Sequence, residues 1–130
     1  MTQTEAVQIW LTGAKEALET AELLFISKKY NHALFFGQLY LEKLLKGLTY
    51  HLKDDHPIFT HNLVLLAEKA GIKLDEKQKE ELREISGFNI SARYPEDKRE
   101  IYNRATPEYT IKLLDKVRKL ASYFKTYLKK

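Results

Sequence analysis

Residues 31–53 read NHALFFGQLYLEKLLKGLTYHLK, and the distribution of apolar side chains along this stretch decides the fold. At about 100° per residue, Ala33, Leu34, Tyr40, Leu41, Leu44, Leu45 and Leu48 fall on one broad helical face. Phe35, Phe36 and Leu39 fall on another, mixed with Gln38, Lys43 and Lys46. A helix with a second apolar patch is either central in its bundle or part of a subunit contact. Gly37 and Gly47 each cost about 1 kcal/mol of helix propensity relative to Ala, and close approach of a neighbouring helix is the reason expected for them. So short a chain offers only about four partner helices, so a second copy is expected to cover the patch. Phe35, Phe36 and Leu39 are the candidate dimer contacts.

Outward from that helix, the same periodicity recurs. Val7, Trp10, Leu11, Ala14, Leu18, Ala21, Leu24 and Phe25 make an amphipathic stripe for a helix over 4–27, with Thr4 as its cap. Asn31 is the cap expected for the second helix, which Asp54, Asp55, His56 and Pro57 end. Thr60 is placed to cap a short third helix over 61–70, with Gly71 as its stop. Asp75 and Gln78 have capping-box spacing for a fourth helix carrying Leu82 and Ile85 inward, which Gly87 loosens or ends. Thr106 followed by Pro107 starts the last helix, with its stripe at Leu113, Leu114, Val117, Leu120, Ala121, Phe124 and Leu128. No alternating strand pattern competes. The expectation is all-α: an up-down bundle of about five helices in one domain over 1–130.

The totals restrict function further. A chain of 130 residues, 44% apolar and 31% charged, is an ordinary globular composition. Without cysteine there is neither a disulfide nor a thiolate metal site. The first ten residues, MTQTEAVQIW, lack the pattern of a secretory signal, and no apolar run approaches the roughly 20 residues that span a membrane. A cytoplasmic protein with no membrane partner is expected. Net charge is +4, but Pro107–Lys130 alone carries seven basic residues against Glu108 and Asp115, leaving the first 106 residues near neutrality. A basic last helix suits a polyanion such as RNA, although lysines on a solvated helix face explain it more simply.

Most catalytic signatures are missing: no Gly-rich phosphate loop, no GxSxG and no HExxH. His51, His56 and His61 recur at intervals of five, which does not place them on one helical face, so neither metal nor cofactor is expected. Glu42 and Lys46 have i,i+4 spacing on the polar side of the second helix, where a surface pair is worth roughly a few tenths of a kcal/mol. The polar and aromatic stretch NISARYPEDKREIYNRAT, residues 89–106, is long for a connection, and such loops are often functional. Arg93, Lys98, Arg99 and Arg104 alternate there with Tyr94 and Tyr102, a combination suited to phosphate and base. Glu96, Asp97 and Glu100 reduce the local charge to +1.

Taken together, YNHALFFGQLYLEKLLKG (residues 30–47), Trp10 in the preceding helix, THNL (60–63) and ARYPED (92–97) resemble HEPN domains, and the resemblance runs over nearly the whole chain. It implies a helical bundle that dimerises and, in many members, acts beside a minimal nucleotidyltransferase in toxin–antitoxin or related pairs. Ribonuclease members carry an Arg-x4-6-His motif at the fourth helix. The corresponding stretch here places Phe88 where the arginine is expected and Arg93 where the histidine is expected, and no histidine follows His61. Phenylalanine holds no phosphate, and arginine stays protonated and is a poor base. The resemblance therefore implies a non-catalytic homodimer that binds a nucleotide, an RNA or a nucleotidyltransferase partner, with Asn89, Arg93, Tyr94, Lys98, Arg99 and Arg104 as binding candidates. The alternatives are a metal-independent ribonuclease toxin with a rearranged site, and a structural adaptor.

Overall fold

The computed structural model describes residues 1–93 and 105–130, with residues 90–93 described in their backbone only. Five α-helices account for most of them: α1 (Gln3–Ile26), α2 (Tyr30–Lys53), α3 (Leu63–Lys69), α4 (Glu76–Arg93) and α5 (Pro107–Lys125). A 3-10 turn, Thr126–Lys129, extends α5. There is no strand among the described residues.

α2 is the central element. It packs against α1, α3, α4 and α5, and its length is buried on two sides. The close approaches expected at its glycines are present. A Cβ on Gly37 would stand 3.1 Å from Leu114 Cδ2 of α5, and one on Gly47 would stand 3.2 Å from Trp10 Cβ of α1. Leu34, Leu41, Leu44, Leu45 and Leu48 meet Leu63, Leu66, Leu82, Ile85, Leu113, Val117 and Phe124 in one apolar cluster. Phe36 and Leu39 pack against the edge of that cluster as half-buried side chains, and Phe35 is half-buried beside them.

α1 lies along α2 through small residues. Its buried positions are Ala6, Ala14, Ala17 and Ala21, while Leu11 and Leu18 pack at the margin. Alanine costs no side-chain entropy in a helix and lets two backbones come close. The helix begins two residues earlier than the expected Thr4 cap, because Thr2 Oγ1 accepts from Glu5 N–H at 3.1 Å. α2 likewise starts without the expected Asn31 cap: Lys29 occupies the cap position, and no side chain bonds there. For α3 the cap is Asn62, accepting from Leu65 N–H at 3.1 Å, while Thr60 accepts from Asn62 N–H. Two good capping residues within three positions compete, and the later one wins. The capping box of α4 is formed in both directions: Gln78 N–H donates to Asp75 Oδ1 at 2.7 Å, and Asp75 N–H donates to Gln78 Oε1 at 2.9 Å. Of the two outcomes expected at Gly87, the helix does not end there but continues to Arg93 and so takes up the first residues of the predicted loop. Thr106 caps α5 through Tyr109 N–H at 3.1 Å, with Pro107 in the first turn. No helix among the described residues is long and apolar enough to cross a membrane.

Candidate functional site

Five polar residues meet where α2, α4 and the 54–62 loop converge. Gln38 and Glu42 sit one turn apart on α2, and both are buried, at 0% and 4% exposure. Gln38 Nε2 donates to Glu42 Oε1 at 2.9 Å, and Lys46 Nζ donates to Glu42 Oε2 at 3.0 Å. From the loop, His61 Nδ1 lies 2.9 Å from Glu42 Oε1. From α4, Asn89 Nδ2 donates to Gln38 Oε1 at 3.3 Å, and Asn89 is itself 3% exposed. Lys46 Nζ stands 5.4 Å from the centroid of the Trp10 ring, which extends the cluster to α1. A buried carboxylate without partners would be prohibitively costly, and this one has three.

The expected exposed Glu42–Lys46 pair is therefore corrected. The pair exists, but Glu42 is an internal anion, because the His61 loop and α4 cover the side of α2 that a helical projection shows as polar. Burial pushes the Glu42 pKa up. The hydrogen bonds from Gln38, His61 and Lys46, together with the Lys46 charge, outweigh it and hold the carboxyl below its usual range. Ionised, Glu42 only accepts. His61 must then carry its hydrogen on Nδ1, leaving Nε2 with a lone pair while the ring is neutral. The His61 side chain is 41% exposed. A half-exposed imidazole oriented by a buried carboxylate has the parts a general base requires, though Lys46 and Gln38 share the same carboxylate.

Sequence reasoning missed Gln38 and His61. The legible sign was Gln38 and Glu42 at i,i+4 within an otherwise apolar helix; nothing in the spacing indicated that His61 returns to them. Of the predicted site residues, Asn89 is the one whose side chain joins this cluster. Arg93 closes α4 in backbone only, and Tyr94, Lys98, Arg99 and Arg104 lie outside the described residues. Phe88 is 2% exposed and meets Tyr109 of α5 edge-on, with centroids 6.3 Å apart. No group of three metal-ligating side chains is present among the described residues.

The basic α5 is divided. Its first three turns and Lys119 face α4 across a groove of about 690 Å³ lined by Lys77, Lys112, Lys116 and Lys119 together with Glu80, Glu81, Glu84 and Asp115. Lys116 pairs with Glu84 at 3.4 Å, and Arg118 with Glu22 at 3.3 Å and Asp115 at 3.2 Å. Lys116 and Arg118, two of the basic residues read from the sequence, are thus paired within the fold.

The helical fold is shared with a solved structure. The crystal structure of TT1696 from Thermus thermophilus superposes with a TM-score of 0.78, covering 94% of this chain and 98% of that one at 22% identity, which shows a common fold. No curated protein matches the chain in sequence. The HEPN domain family matches residues 7–127, nearly the full length of the bundle. By that match, and with the helical architecture that accompanies it, the chain belongs to the HEPN domain family.

Proposed function

We propose that this HEPN protein is a non-catalytic homodimer that binds a nucleotide or RNA, alone or together with a minimal nucleotidyltransferase in a two-component pair. The observation that carries the reading is the burial of Phe88. The α4 position that corresponds by resemblance to the phosphate-holding arginine is committed to the core against Tyr109, so no cation at that position serves a cleft. Asn89 beside it is turned inward onto Gln38. Binding then depends on Arg93, Tyr94, Lys98, Arg99 and Arg104, which follow in the chain, and the subunit contact on Phe35, Phe36 and Leu39.

The test is incubation of the full chain with end-labelled RNA. A shifted but intact RNA, with weaker retention by Arg93→Ala, is the expected result. Sedimentation of the wild type as a dimer, and of Leu39→Glu as a monomer, would support the subunit contact.

A second reading draws support from one distance, the 2.9 Å between His61 Nδ1 and Glu42. In a rearranged ribonuclease, His61 Nε2 would take the proton of a 2′-hydroxyl as that oxygen attacks phosphorus and the bond to the 5′-oxygen breaks. Cleavage by the wild type that disappears in His61→Ala or Arg93→Ala would overturn the non-catalytic reading in favour of this one.

A further inference from the structure

The last residue of α5 and the 3-10 turn that follows it differ from the groove face of α5 in how their lysines are held. Lys125 Nζ rests 5.8 Å from the centroid of the Tyr40 ring, and Lys130 Nζ rests 4.9 Å from that of Tyr127. A carboxylate would hold a lysine and cancel its charge; an aromatic face holds it and leaves the charge intact. Lys73 is brought to the same end by its backbone. Its N–H donates to the Tyr127 hydroxyl at 3.1 Å, and its carbonyl accepts from the Tyr123 hydroxyl. The two tyrosine rings stand edge to face at 5.6 Å and keep that clamp rigid.

Lys73, Lys125, Lys129 and Lys130 are all exposed, and none has a carboxylate within ion-pair distance among the described residues. The nearby acids are otherwise engaged: Asp75 accepts from Gln78 N–H, and Glu76 lies 3.7 Å from Lys79. The large apolar side chains left exposed among the described residues sit at Met1, on α1, on the 54–62 loop, on α3 and near the start of α5, not here. A surface helix that enters a lipid bilayer presents an apolar face beside its cations, so this patch suits a dissolved polyanion better than a membrane.

We propose that the end of α5, with Lys73, Lys125, Lys129 and Lys130, contacts the phosphate backbone of single-stranded RNA. This rests on the reading above that the chain binds RNA, and it names residues other than those of the 89–104 stretch. The mechanism is counterion release by cations held on rings, with the half-exposed Tyr127 as a face for a base.

The experiment measures anisotropy of a labelled single-stranded RNA, about 12 nucleotides long to match one single-strand site, on the full chain across a salt series. Two triple variants are compared, Lys125→Ala/Lys129→Ala/Lys130→Ala and Lys112→Ala/Lys116→Ala/Lys119→Ala, both checked for helicity by circular dichroism. They remove the same formal charge. The C-terminal triple is expected to weaken binding at least about tenfold at low salt and to flatten the log–log salt slope by about 2, since each single-strand contact contributes about 0.7. The groove triple should change affinity less than about threefold, since Lys116 is paired with Glu84 and the three lysines line a groove that also holds Glu80, Glu81, Glu84 and Asp115. Equal loss in both would show that only net charge matters and would overturn the proposal. So would stronger patch-dependent binding to phosphatidylserine vesicles than to RNA. Wild-type binding unaffected by the C-terminal triple would sink this surface and leave the RNA reading standing, whereas no wild-type binding at all would end both.

Discussion

At the scale of single residues, Glu42 is where most depends on one side chain. It accepts from Gln38, Lys46 and His61 and, through Gln38, is connected to Asn89. Glu42→Ala would leave Lys46, only 13% exposed, without its acceptor, and removing one member of such a buried pair costs about 3 kcal/mol. Urea denaturation at neutral pH checks this, with Glu42→Gln expected to cost less because the shape and one acceptor are retained. Because the folded-state pKa of Glu42 lies below its unfolded value, folding favours the ionised form. The stability this contributes is complete above the unfolded pKa and is lost as pH falls through the folded one. The wild type should therefore show an acid limb below the usual carboxylate range that is shallower in Glu42→Gln, read from urea midpoints across that range. The Glu42 cluster also marks the limit of what single residues reveal in a sequence. Gln38 and Glu42 were visible as polar residues on an apolar helix. Their burial was not, because it depends on a loop 19 residues downstream of Glu42 returning to cover them.

At the scale of elements, the helices and most of their core stripes were legible because amphipathic periodicity and caps are local. Leu82 and Ile85, the α5 stripe from Leu113 to Phe124, the Asp75–Gln78 box and the Thr106–Pro107 start all stand as read. Boundaries failed where signals competed locally, as with Thr60 and Asn62 before α3, or where helix continuity outweighed one glycine, as at Gly87. The glycines now separate by what surrounds them. Gly47→Ala would press a methyl 3.2 Å from Trp10 Cβ and 3.3 Å from Leu11 Cδ2, and Trp10 Cβ is fixed to the α1 backbone. Pushing α1 and α2 apart should cost about 1–3 kcal/mol, more than the helix propensity gained. Gly87 lies inside α4, and Gly87→Ala should stabilise that helix by about 1 kcal/mol through helix propensity. Thermal midpoints of the two variants should move in opposite directions.

At the scale of the whole molecule, α2 makes the bundle interdependent, since each other helix packs on it and Arg118 of α5 also reaches Glu22 of α1. Loss of α2 removes a packing partner from every other α-helix at once. Far-UV circular dichroism and the fluorescence of Trp10, the sole tryptophan, are therefore expected to report coincident denaturation curves; separated midpoints would contradict this coupling. The functional surfaces were legible only in part at this scale. The charge of α5 was countable in the sequence, but which half of it is opposed by α4 depends on packing. One further consequence follows from Phe59, which stands at full exposure in the loop between α2 and α3. Chymotrypsin favours such a residue on such a loop. Cutting there would divide the chain into 1–59 and 60–130, with α1 and α2 on one piece and the helices that cover α2 on the other. The core leucines of α2 would bind the pieces together without a peptide link. The nicked protein should run as one species in native gels and as two in detergent, and the separately expressed halves should reconstitute a helical complex when mixed.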